Sequence, residues 1–131
     1  MKKILLPILM LPFVFACSKS EEDKQKKMIE EVMAVHDEVM PKMDEIMILK
    51  GQLDSVAKVS PDSLKAKDLY VALDSADVQM MNWMEKYNPE EVKGKSEEVV
   101  VKYYEEEKNK IVKVKELTNA SIEEAKAFLK K

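Results

Sequence analysis

The sequence predicts an all-α protein, an up-down-up antiparallel three-helix bundle, on three observations. Apolar residues recur at spacings of three and four through most of the chain, proline-centred stops divide that pattern into three segments, and strand signals are missing. The β-branched run Val99-Val100-Val101 is too short and too isolated to build a sheet. Short connections between the segments favour antiparallel packing of neighbours.

The first segment, from about Glu22 to Val56, carries one apolar row at Ile29, Met33, His36, Met40, Met43 and Met47. A second row lies beside it at Met28, Val32, Val35, Val39, Ile46, Leu49 and Leu53. Together they form a face wider than a coiled-coil seam, on a helix about 50 Å long. Pro41 removes a hydrogen bond and crowds the carbonyl four residues back, which predicts a kink near Asp37. Because the stripe keeps its phase across the proline, one bent helix is expected and not two.

Ser60-Pro61-Asp62 supplies an N-cap, a proline at the first helical position and an acid in the first turn. The second helix runs from there to about Tyr87 with its seam at Leu69, Leu73, Ala76, Met80, Trp83 and Tyr87, flanked by Ala66 and Met84. Asn88-Pro89 stops it. After a loop containing Gly94, Ser96 opens a third helix with Val100, Tyr104, Ile111 and Val114 in phase. Two outcomes stay open at Thr118-Asn119-Ala120-Ser121: a break, since Ser121 and Glu124 have capping-box spacing, or a helix continuing through Ile122, Ala125, Phe128 and Leu129. Glu107 falls on the seam and is expected at its rim, with its carboxylate reaching water.

The first sixteen residues stand outside this fold. Residues 1–16, MKKILLPILMLPFVFA, join a basic start (Lys2, Lys3) to an apolar run short for a bilayer span and a small residue, Ala16, which is the pattern of a removed signal peptide. Val14-Phe15-Ala16-Cys17 resembles a bacterial lipobox, so the single cysteine is expected to be lipidated, anchoring the chain to a membrane through acyl chains. Residues 17–23 then form an acidic tether, with residues 24–131 as the bundle. Ser18 to Asp23 resembles an acidic export signal that some Gram-negative bacteria use to place lipoproteins at the cell surface. The same residues also suit the first turn of a helix. The expected location is the cell envelope, as an outer-membrane lipoprotein with surface display as one outcome.

Composition excludes several functions. Loss of Lys2 and Lys3 takes the net charge from −3 to about −5, against a nucleic-acid partner. Arginine is absent and Gly51 and Gly94 are the only glycines, so bidentate phosphate recognition and glycine-rich phosphate loops are missing. With no nucleophile-elbow, HExxH, CxxC or P-loop pattern, the chain reads as non-enzymatic, a monomer or weak oligomer whose partners are the membrane and another envelope protein.

One stretch invites a chemical reading. HDEVMPKM, residues 36–43, holds the only histidine. If the first hairpin reverses near Val59, His36 lies level with residue 82, and a second reversal near Val92 brings that level to Tyr103 and Tyr104. His36, Met40, Met80 and Met84 would then share one layer with Trp83. An imidazole with thioethers suits Cu(I), and a His/Met pair is also an axial set for haem, although no CxxCH motif is present. Methionine is equally an adaptable core filler, with His36 bonded to Tyr103, Tyr104 or Asp77. Asp37 and Glu38 are expected to face solvent, leaving no second polar group for catalysis.

HDEVMPKMDEIM followed by DSADVQMMNWM resembles a group of small bacterial envelope lipoproteins of unknown function that often carry the label "viral A-type inclusion protein", a label reflecting coiled-coil-like composition. The resemblance covers most of the mature chain and is most specific at His36 to Met47 and Asp74 to Met84. It implies a helical fold and an envelope location, with no active site to transfer.

Overall fold

Prolines and small polar residues set the element boundaries. The computed structural model describes residues 19–130. The chain forms α1 (Lys19–Val39), α2 (Lys42–Val59), α3 (Ser63–Lys86), a 3-10 turn (Pro89–Val92) and α4 (Glu97–Leu129). No strand occurs among the described residues, so the protein is all-α. The expected signal peptide and Cys17 lie outside the described residues. Lys19 to Asp23, expected as tether, already belong to α1, where Glu21 and Glu22 sit in the first turn and are favoured by the helix dipole.

The first apolar segment is two helices, contrary to the expected single bent one. Met40 and Pro41 form a turn between α1 and α2. Pro41 keeps right-handed backbone angles, φ −62° and ψ −21°, but has no N–H to offer the Asp37 carbonyl. The Met40 N–H donates to the His36 carbonyl at 2.9 Å, and the Met43 N–H reaches the Met40 carbonyl at 3.1 Å, a tighter three-residue turn. Of the two apolar rows, the one through Val32, Val39, Ile46, Leu49 and Leu53 is buried. The methionine row flanks it, ending with Met47 at 68% exposure.

At the next boundary the Ser60 hydroxyl accepts the Asp62 N–H at 3.1 Å, and α3 begins at Ser63. Its expected seam is buried at Ala66, Leu69, Leu73, Ala76, Met80 and Trp83. Gly94, with φ 73°, supplies a left-handed residue before α4, a conformation that costs glycine nothing sterically. Ser96 holds the N-cap position in extended geometry, though its side chain makes no capping bond. α4 continues unbroken through Thr118 to Ser121, about 50 Å in all. Ser121 donates back to the Leu117 carbonyl instead of capping a new helix.

The core has two halves. In one, Ile46, Leu49 and Leu53 of α2 meet Leu69 and Leu73 of α3 and Ile122 of α4. In the other, Val32 and Val39 of α1 meet Met80 and Trp83 of α3, Val92, and Tyr104 and Ile111 of α4. Met43, just past the proline, packs against both. Outside the core, ion pairs tie the first two helices to α4. Lys24 meets Glu97 at 2.5 Å, Glu31 meets Lys108 at 2.7 Å, Glu38 meets Lys115 at 2.7 Å, and Glu45 meets Lys126. Glu31–Lys108, Glu38–Lys115 and Lys42–Asn119 share one sequence separation, 77 residues, so the partners advance together along both helices. Between α2 and α3, Lys50 reaches Asp74 at 2.5 Å and lies 5.0 Å from the centre of the Tyr70 ring.

Candidate functional site

His36 closes the last turn of α1 before the proline break, where its ring is held against α3. Its Nδ1 lies 2.8 Å from the Asp37 Oδ1, and its ring centre is 5.8 Å from that of Trp83. The expected bond to Tyr103, Tyr104 or Asp77 is not made; the adjacent Asp37 carboxylate takes Nδ1 instead. Asp37 remains open to solvent, as its place on the outer face requires. Glu38 is likewise exposed, as expected, and at the surface it meets Lys115 at 2.7 Å with Lys42 at 3.9 Å.

From Trp83 a row of aromatic rings continues. Trp83 and Tyr87, one helical turn apart on α3, stack with centres 4.9 Å apart. Tyr87 lies 6.5 Å from Tyr103 of α4, and Tyr103 meets Tyr104 edge-on at 5.1 Å. The turn at Asn88-Pro89 makes this possible: the Asn88 N–H donates to the Tyr103 hydroxyl at 2.9 Å, pinning the chain reversal to α4. Burial, followed by the neighbouring Tyr104, Tyr103 and Glu107, pushes the Tyr87 phenol up to about 12. Burial also raises Tyr103, opposed by the Asn88 N–H, which favours the phenolate.

Several buried polar atoms lack protein partners. Trp83 Nε1 and the Tyr87 and Tyr104 hydroxyls are buried without a hydrogen bond, as is Thr118 Oγ1. Glu107, expected at a wetted rim, is itself buried. Its Oε1 is met by Lys110 at 2.7 Å, one turn further along α4, and that bond raises the Lys110 pKa. Beside the row, α3, the 3-10 turn and α4 enclose a cleft of about 570 Å³. Trp83, Tyr103 and Glu107 line it, with Gln79, Asn82 and Lys86 from α3 and Glu91, Lys110 and Lys113 among the groups around them. Such a cleft can stack a flat or apolar group, accept a hydrogen bond from it, and meet charges of either sign.

The four candidate metal ligands occupy different depths. Met80 is fully buried in the aromatic half of the core, and Met40 is partly buried against the same half. His36 is half-buried beside them, its Nδ1 engaged by Asp37. Met84 is 38% exposed and would have to turn inward to join a shared ion. Among the described residues no group of three His, Cys, Asp or Glu side chains could hold a metal. Sequence reasoning placed His36 beside Trp83 but missed the Tyr87–Tyr103 contact and the depth of Glu107. The signal for the first was Asn88-Pro89, a turn short enough to bring the flanking tyrosines together. Comparison with known protein families, curated proteins and solved structures finds no match to this chain.

Proposed function

We propose that this chain is a lipid-anchored, non-enzymatic helical protein of the bacterial cell envelope that binds a ligand in the aromatic cleft between α3 and α4. The reading joins a lipobox-like Cys17, related in pattern to the small envelope lipoproteins it resembles, to an up-down-up antiparallel three-helix bundle. The constant 77-residue separation between α1–α2 residues and their α4 partners supports that arrangement, as does the Lys50–Asp74 pair across the α2–α3 turn.

The observation that carries the binding role is the lining of the cleft, where the Trp83 and Tyr103 rings stand beside the Glu107 carboxylate. Aromatic faces next to a carboxylate suit a flat or apolar group that carries a hydrogen-bond donor. Trp83 is the only tryptophan, so its fluorescence reports on the cleft directly. Titration with a library of small amide, carboxylate and aromatic compounds should give a saturable change for at least one class, weakened in Glu107→Gln. A spectrum unmoved by every class would reject the cleft. The anchor has its own test, since Cys17→Ala should abolish incorporation of a fatty-acid analogue; equal label in the variant would remove the envelope reading.

A second reading places Cu(I) on His36, Met40, Met80 and Met84, favoured by the His36 ring lying against the core half that holds Met80 and Met40. Cuprous ion should then raise the melting temperature of the wild type and leave His36→Leu unmoved. A melting temperature indifferent to copper in both rejects it.

A further inference from the structure

Large apolar side chains left in water are concentrated on one helix. Among the described residues α3 exposes six of them, while α4, the longer helix, exposes Val99 alone. Four of the six form a stripe: Leu64, Val71 and Val78 recur every seven residues, and Met81 follows three beyond. They are between 49% and 75% exposed. The opposite side of α3 is the seam through Leu69, Leu73 and Met80 that fills the core. α3 is thus apolar on two sides, whereas a helix on the outside of a lone globular domain needs only one such side.

The charges along the stripe indicate what covers it. Lys67 stands near its start and Glu85 at its end, both exposed and neither paired among the described residues. Asp74, midway, is already neutralised by Lys50 at 2.5 Å. We propose that this stripe is the contact surface for a second copy of the same chain, α3 against α3 in antiparallel orientation about a two-fold axis. Placing Lys67 opposite the partner's Glu85 brings Val71 opposite the partner's Met81, and the two-fold repeats both pairs. The parallel arrangement stacks Lys67 on Lys67 and Glu85 on Glu85, and like charges directly opposed are unfavourable. Charge therefore selects the antiparallel register. Lys67 and Asp74 at otherwise apolar positions keep the association weak and reversible.

Disulfide trapping of the full chain tests both contact and direction. Lys67→Cys and Glu85→Cys chains are co-expressed in one cell, oxidised, and separated without reductant, with the wild-type chain setting the background from Cys17. A species of twice the monomer mass should form from the two variants together and from neither alone, and Val71→Glu, at an exposed position, should cut it at least tenfold with helix content unchanged. Should Val71→Glu lose helix, Met81→Lys takes its place with the same expectation. The proposal is overturned if the mixed variants give no doubled species, as they would if another protein covers the stripe. It is equally overturned if Lys67→Cys alone gives as much as the mixture, or if the charged variant cross-links undiminished.

Discussion

The two halves of the core share α3 and α4 but are made of different material. On the α2 side, Ile46, Leu49, Leu53, Leu69, Leu73 and Ile122 form an aliphatic cluster with no aromatic ring among its buried members. On the α1 side, Trp83, Tyr104 and Glu107 bring a donor, a hydroxyl and a carboxylate into the interior, and the first two of these have no partner. Aliphatic packing of this kind is what a bundle needs to fold. The aromatic half accepts unpaired polar groups that an equally large leucine layer would have avoided, and the cleft lies on that side. The difference separates an aliphatic half from an aromatic half that carries unpaired polar groups and borders the cleft.

The comparison can be broken most directly in the aliphatic half. Leu73 is fully buried, so Leu73→Ala should cost about 2–5 kcal/mol in denaturant unfolding. A loss well under that range would mean the α2 half is less tightly packed than its burial implies. Tyr104→Phe should behave in the opposite sense, from neutral to about 2 kcal/mol more stable, because it deletes a buried hydroxyl with no partner. A clear destabilisation would show that the hydroxyl is engaged and that the halves differ less than described.

A smaller effect appears with alkali. Tyr87 is raised to about 12 in the folded state, above its ordinary value of 10.0, so its contribution to stability is complete below pH 10 and is lost as pH rises from there through 12. Absorbance of the phenolate should show a late-titrating component that shrinks in Tyr87→Phe without vanishing, since Tyr103 is raised too, and that variant should lose less stability between pH 10 and 12. Equal alkaline loss in both proteins would remove Tyr87 as the source. Smallest of all, Lys115→Met should barely change stability, with any loss fading at high salt, because the Glu38–Lys115 pair lies on the surface. A larger, salt-independent loss would shift weight from the core to the outer ion pairs.

The helical class and the α3 seam were legible because a 3.6-residue period and proline stops are written locally. Ala66 through Trp83 occupy the buried positions that their spacing predicts. The boundary at Pro41 was legible in place but not in kind: whether a helix bends or ends depends on the hydrogen bonds around Met40 and Met43, which apolar phase does not reveal. Ser121 was ambiguous for a similar reason, since one hydroxyl can cap a helix or bond back to Leu117. Of the two apolar rows in the first segment, periodicity gave the face but not its centre, which is set by where α4 lies. At the site, reflection through the turns brought His36 to Trp83. The partner of His36 and the depth of Glu107 depend on side-chain reach, and neither period nor level encodes it.

The separation of partners along the chain also orders the events of folding. α2 and α3 meet across a short turn, with Lys50 and Asp74 only 24 residues apart, whereas α1 finds its ion-pair partners on α4 at a separation of 77. Loop-closure entropy grows with the logarithm of that separation, a handicap of about 1 kcal/mol for the longer pairing. The α2–α3 hairpin can therefore assemble early, while α1, although first in the chain, has only the Met80–Trp83 end of α3 to lie against until α4 has arrived. A chain made amino-terminus first keeps much of the apolar face of α1 waiting through most of its own synthesis, and native-state hydrogen exchange should find α1 the first helix to let go.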